Sequence, residues 1–196
     1  SAYCDLLKNE QIQPGEAINV VVPTGNFGNI LSAYYAKKMG LPVQKFICAS
    51  NENNVLTDFI ATGIYDRNRP FHTTISPSMD ILISSNLERL IYDMYDRDDK
   101  AVSALFDQLA KDGRYEVSDA VKAKIQQEFY GGCCDDEQTK QTIQHVFEKY
   151  SYLCDTHTAV AVKVYEDYRE KTGDTTKTVI ASTASPYKFT NSVLAA

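Results

Sequence analysis

Two glycines, Gly25 and Gly28, frame Asn26 and Phe27 in the run Pro23-Thr24-Gly25-Asn26-Phe27-Gly28-Asn29. Residues of these types at this spacing suit one chemistry, the cradling of an anion. Glycine lets main-chain N–H groups approach a ligand closely and tolerates positive φ. The run is not a P-loop, because no lysine follows Gly28. It is not the dinucleotide fingerprint either: two residues separate the glycines, and Ile30 and Leu31 follow. On the glycines alone, two readings stand: a phosphate cup, or an ordinary strand-to-helix turn with no ligand.

The flanking elements position this turn. Ile18 to Val22 is an apolar run that reads as a buried strand. Ile30, Leu31, Tyr34 and Tyr35 recur on one helical face, and Gly40 is a stop signal. The turn therefore meets a helix N-terminus, where the dipole contributes about half a positive charge. Val43 to Ala49 reads as a second strand. Strand, helix and strand within some thirty residues make a βαβ unit, so the two strands are expected to run parallel. Ligands of such sheets bind beyond the carboxyl ends of the strands. Thr24-Gly25-Asn26 and Ser50-Asn51-Glu52-Asn53 both fall there.

Further along, Asn54 to Ala61 is a short helix stopped by Gly63, and Tyr65 to Pro70 a polar loop. Ser85 or Asn86 caps a helix carrying Leu87, Leu90, Ile91, Met94 and Tyr95. Asp98 to Lys111 forms another, ended by Gly113. Ser118 opens a third, with Val121, Ile125 and Phe129 every four residues and Gly131-Gly132 as its end. Asp135 or Asp136 opens a fourth. Four helices with no strand between them predict an all-helical insertion over 86–150. Asp155 or Thr156 then caps a helix from Thr158 to Arg169. Thr178 to Ala181 is the last strand, running into Ser182-Thr183-Ala184-Ser185-Pro186. The predicted organisation is 1–85 with the loop, 86–150 helical, and 151–196 with the last helix, strand and loop.

Several motifs, in order, carry a family resemblance. The Gly25 run is followed by Ala36-Lys37-Lys38-Met39-Gly40-Leu41-Pro42-Val43 and by Asn51-Glu52-Asn53-Asn54-Val55-Leu56. Then come Ser76-Pro77-Ser78-Met79-Asp80-Ile81, Ser84-Ser85-Asn86-Leu87-Glu88-Arg89-Leu90, Asp155-Thr156-His157-Thr158-Ala159-Val160 and Ser182-Thr183-Ala184-Ser185-Pro186-Tyr187-Lys188-Phe189. Over essentially its whole length the chain resembles threonine synthase, a fold-type II pyridoxal-phosphate enzyme. The resemblance implies a three-layer α/β fold with a parallel sheet of the tryptophan synthase beta-like kind.

It also implies roles. Gly25, Asn26, Phe27, Gly28 and Asn29 would hold the pyridoxal phosphate through its phosphate, and Thr183 would meet the ring nitrogen. A hydroxyl there does not protonate the ring as a carboxylate would. Asn86, Arg89 and His157 would contact the substrate, O-phosphohomoserine. Each has a plainer reading: Thr183 as a helix cap, Arg89 as an ion-pair partner of Asp93 four residues on, and His157 as a buried capping residue. Leu87 stands where the family usually has Phe, Thr156 where it has Pro, and Ser185 where it has His.

One family feature is missing. The lysine that carries the cofactor as a Schiff base lies well before the glycine loop in threonine synthases. Here 24 residues precede Gly25, and Lys8 is the only lysine among them. The expectation is therefore a C-terminal piece of threonine synthase with no catalytic residue of its own, inactive when isolated. The parent reaction would convert O-phosphohomoserine and water to threonine and phosphate. Two alternatives remain: another fold-type II enzyme of threonine dehydratase or cysteine synthase type, or a non-catalytic module binding a phosphorylated metabolite.

Composition narrows the partners. The net charge is -6 and no basic stripe is present, which argues against nucleic acid and leaves local donors to hold any phosphate. No apolar run is long enough to span a bilayer, so no membrane partner is expected. The five cysteines are an odd number without C-x-x-C spacing. They read as free thiols of a reducing cytoplasm, with no metal site.

Overall fold

The computed structural model describes residues 1–196. Its centre is a four-stranded sheet of β1 (Ile18–Pro23), β2 (Val43–Ser50), β5 (Phe129–Cys133) and β6 (Thr178–Ile180). The spatial order is β5-β2-β1-β6 and every pairing is parallel. A separate antiparallel pair joins β3 (Ile64–Asp66) to β4 (Arg114–Glu116).

Alternation along the strands sorts the side chains into two cores. Ile18, Val22, Phe46 and Cys48 face one side, among α2 (Gly28–Lys38), α3 (Val55–Thr62), α4 (Leu87–Met94), α5 (Asp99–Asp112) and α6 (Asp119–Glu128). Val21, Ile47 and Ala49 face the other side, where α8 (Thr156–Thr172) lays down Val160, Ala161, Val164 and Tyr168. Apolar residues on both faces are what a parallel sheet covered by helices requires. Behind α8 lie α7 (Asp136–Tyr150) and the short α9 (Thr190–Leu194); α1 (Ala2–Lys8) precedes the sheet. The three-layer α/β expectation is met.

The all-helical expectation for 86–150 is not. All four helices are present, but β4 and β5 lie between them. Phe129 does not extend the stripe of Val121 and Ile125. It opens β5, pairs with Phe46, and its ring packs against Phe27 and Phe46. Gly131 and Gly132 do not end a helix but sit in that strand. A Cβ on Gly131 would lie 2.9 Å from Thr57 Cα, and one on Gly132 would lie 2.6 Å from a Val164 methyl. The glycines let α3 and α8 close on both faces of the strand. The polar 65–70 stretch likewise begins in β3. The sheet thus draws strands from 1–85, 86–150 and 151–196 alike.

Candidate functional site

Parallel pairing puts the carboxyl ends of all four strands on one edge, and the loops leaving that edge meet. Val21 of β1 pairs with Ile180 of β6, so the glycine loop and the 182–185 loop emerge side by side. Between them lies a cavity of about 340 Å³. Its walls are the run Pro23–Asn29, Ser78 and Met79, Asn86, His157, Thr183 and Ala184. Of the nine residues expected at a site, all but Arg89 line this one cavity.

The loop presents donors. No acceptor in the chain takes the backbone N–H of Gly25, Asn26, Phe27, Gly28, Asn29 or Ile30; the first backbone bond of α2 runs from Leu31 N to Phe27 O. Their carbonyls, in contrast, are anchored. Ser84 Oγ donates to Gly25 O at 2.7 Å, while Asn86 donates to Asn26 O from its main chain at 3.1 Å and its side chain at 2.9 Å. In a trans peptide C=O and N–H point in opposite directions, so fixing these carbonyls aims the next N–H groups away from the 84–86 segment.

The conformation of the loop differs in one respect from the sequence reading. Gly25 and Gly28 do not have positive φ; Phe27 does, at 64°. Its side chain is buried against Phe129, so Phe27 contributes its backbone to the cavity and its ring to the core. What the glycines supply is closeness: a Cβ on Gly25 would lie 2.9 Å from Ser78 O, and one on Gly28 would lie 3.3 Å from Asn86 Nδ2.

A network the sequence did not single out sets the Ser78 wall. Asp80 Oδ1 accepts from Asn51 Nδ2 at 2.8 Å and Asn53 Nδ2 at 3.0 Å, and its Oδ2 accepts from Thr74 N at 3.0 Å. Asn53 also exchanges bonds with the His72 main chain. The asparagines after β2 therefore organise the 72–80 segment. Three asparagines directly after a buried strand were the available signal.

His157 is buried at the N-terminus of α8. Ser78 N–H donates to its Nε2 at 3.2 Å, which leaves the proton on Nδ1, 3.1 Å from Asp155 Oδ1. Its plainer reading is only partly right, since Asp155 caps the helix by accepting from His157 N and Thr158 N. Burial works to raise the Asp155 pKa, but the hydrogen bonds from His157 and Thr158 hold it below the usual carboxylate value.

Thr183 is exposed to the cavity and its hydroxyl makes no bond within the chain; the following turn, Pro186–Phe189, has no side-chain cap from it. Arg89 lies outside this cavity, in a groove beside Tyr35 and Tyr92, and donates to Asn86 Oδ1 at 2.6 Å. Its expected ion-pair partner, Asp93, is taken by Lys38 at 2.9 Å and by Tyr34 at 2.6 Å. No lysine lines the cavity. Burial pushes the Cys48 and Cys134 thiols up to about 12, so neither supplies a thiolate nucleophile near neutral pH.

Comparisons with known proteins follow the motifs. A family model described as "Threonine synthase, C-terminal" matches residues 158–196. Threonine synthase-like 1 of Homo sapiens is 44% identical over 197 residues, which cover 100% of this chain and 26% of the human protein. Threonine synthase of Pseudomonas aeruginosa is 38% identical over 180 residues, 92% of this chain and 38% of its own length. Among solved structures, pyridoxal-phosphate-bound threonine synthase from Brucella melitensis superposes with a TM-score of 0.90 at 40% identity, over 98% of this chain and 41% of that one. The resemblance to threonine synthases is borne out along the chain, which spans about a quarter to two fifths of the length of these proteins.

Proposed function

We propose that this threonine-synthase-like chain forms the part of a pyridoxal-phosphate enzyme that holds the cofactor's phosphate and ring nitrogen. The observation that carries the reading is the row of free N–H groups from Gly25 to Ile30 at the start of α2, facing the free Thr183 hydroxyl across one cavity. Both ends of the cofactor are matched in kind: N–H donors and a helix N-terminus suit a phosphate, and a neutral hydroxyl suits an unprotonated pyridine nitrogen.

When bound, pyridoxal phosphate supplies an electron sink for carbanion chemistry on amino acids. The residues of this chain do the holding. Gly25 to Asn29 bind the phosphate, Ser84 and Asn86 keep the loop's N–H groups aimed at it, and Thr183 sets the electronic demand of the ring. His157 supports the Ser78 wall, Asn86 stands in the cavity wall for the phosphate of a substrate, and Arg89, in its own groove outside the cavity, reaches that wall through its hydrogen bond to Asn86. In the whole protein we assign conversion of O-phosphohomoserine and water to threonine and phosphate. The five cysteines are all free thiols, which fits a reducing cytoplasm.

Two measurements test this. In the amide NMR spectrum of the chain, pyridoxal phosphate should shift the resonances of Gly25 to Ile30 saturably; shifts confined to surface lysines would remove the central support. The full-length protein should release phosphate and form threonine from O-phosphohomoserine. Binding of the cofactor without that turnover would retain the cavity assignment and reject the reaction.

A further inference from the structure

Asp155 is buried, and its two oxygens lead to opposite walls of the cavity. From Oδ1 the path runs to His157 Nδ1 and, through Nε2, to Ser78 N–H. Ser78 O and Met79 Cα are the atoms that lie closest above Gly25. From Oδ2 the path runs to Thr158 Oγ1, a short hydrogen bond, and Thr158 Oγ1 lies 3.3 Å from Ser182 Oγ. The one hydroxyl proton of Thr158 is directed at the carboxylate, with Ser182 Oγ as its more distant acceptor. Ser182 Oγ in turn lies 3.3 Å from Tyr152 OH. A carboxylate that only accepts thus anchors two hydrogen-bonded chains, and each bond in such a chain polarises the next.

We propose that Asp155 is a positioning residue that sets the spacing between the phosphate wall, through His157 and Ser78, and the ring-nitrogen wall, through Thr158 and Ser182. The proposal rests on the reading of the cavity as a pyridoxal-phosphate site. It gives the Asp-Thr-His-Thr motif a purpose that helix capping alone does not. A capping aspartate needs only the N–H groups of His157 and Thr158; here both side chains are recruited as well, and each contacts a different loop.

The test uses the full-length protein and three variants: Asp155→Asn, which turns one acceptor into a donor, and the two single-arm changes Thr158→Val and His157→Leu. Thr158→Val should shift the absorption maximum of the bound cofactor, because it frees the Ser182-Thr183 loop, while leaving affinity for inorganic phosphate near wild type. His157→Leu should do the reverse. Asp155→Asn should do both, with turnover falling about a hundredfold, the scale of a misplacement near 1 Å. Should Asp155→Asn fail to fold, the two single-arm variants decide the matter. If both give the same spectrum and phosphate affinity as wild type, or change both readouts only in proportion to lost thermal stability, the proposal is overturned. If the wild-type protein takes up no pyridoxal phosphate, the cofactor reading fails. The crystal structure of Thr158→Val then decides the inference alone: a displaced Ser182 loop supports it, and a wall superposing on wild type overturns it.

Discussion

Asn86 grips the carbonyl of Asn26 twice, with its backbone N–H at 3.1 Å and its side-chain amide at 2.9 Å. The same side chain accepts from Arg89 through Oδ1. Asn86 is thus expected to act on the phosphate through the loop as much as by direct contact. Asn86→Ala removes one donor from a half-buried position, worth about 1 kcal/mol, and should weaken cofactor affinity severalfold. Asn86→Asp keeps the shape but places a carboxylate against a carbonyl and near the incoming phosphate, so it should weaken affinity more than alanine does. Titration of both variants with pyridoxal phosphate checks the order; an aspartate variant as tight as wild type would show that the second grip is idle.

The two loop glycines should differ in tolerance. A Cβ at Gly25 meets backbone, Ser78 O at 2.9 Å and Met79 Cα at 3.3 Å, while at Gly28 it meets the end of the Asn86 side chain at 3.3 Å. Backbone must move for the first and a rotatable amide for the second. Gly25→Ala should therefore cost about 1–3 kcal/mol of stability, the scale of overpacking, and Gly28→Ala less. Denaturant midpoints would show it, and equal losses at both positions would contradict the packing argument.

The loop, its helix and its two flanking strands were legible in the sequence because each signal there is local. An apolar run, a glycine pair and a helical stripe lie within twenty-five residues of one another. Phe129 to Cys133 was misread for the opposite reason. Phe129 happens to fall four residues after Ile125, and Gly131-Gly132 looks like a helix stop. Their strand character exists only because β2 pairs with them and two distant helices close on them. In the cavity lining, type and spacing alone leave the Gly25–Asn29 run open between a phosphate cup and a plain turn, and only the ordered motifs around it favour the cup; the positive φ at Phe27 is not legible at all, since nothing in an aromatic side chain announces it. Asn51, Asn53 and Asp80 stand in the ordered motifs, but their role in holding a wall is visible only once the 72–80 segment folds over them.

Asp174 predicts acid sensitivity at the far end of the sheet. Its Oδ2 accepts from Asn19 Nδ2 at 2.8 Å and Tyr168 OH at 2.6 Å, and Oδ1 from Thr176 N at 2.9 Å. Burial pushes its pKa up, but hydrogen bonds from Thr176, Tyr168 and Asn19 outweigh it and hold the carboxyl far below its ordinary value. A depressed folded pKa gives stability that is complete above the unfolded value, about 3.9, and is lost as pH falls below it. Asp174→Asn should lower stability by about 1–2 kcal/mol at pH 7. The gap from wild type should shrink as the pH drops from about 4 toward 2. Thermal melts across that range check it, and a gap that stays constant with pH would assign the loss to packing instead.

The last prediction concerns covalent chemistry. Cofactor attachment and proton movement both need a lysine within reach of the bound ring. None lines the cavity. Lys188, the lysine inside the Ser182–Phe189 motif, is exposed on the Pro186–Phe189 turn beyond Thr183 and is not part of the lining. Lys8 belongs to α1, at the other end of the chain from the 182–189 loop. If Thr183 meets the ring nitrogen, the reactive carbon of the ring points across the cavity, away from the turn that carries Lys188. Residues 1–196 should therefore bind pyridoxal phosphate without attaching it at one defined position, and should not turn over O-phosphohomoserine. Mixing the chain with the cofactor, reducing with borohydride and mapping the label by mass spectrometry tests this. Scattered, substoichiometric labelling of surface lysines is the expected result. One stoichiometric pyridoxyl-lysine together with phosphate release would mean that a lysine of this chain reaches the cavity and that these residues suffice for the whole reaction.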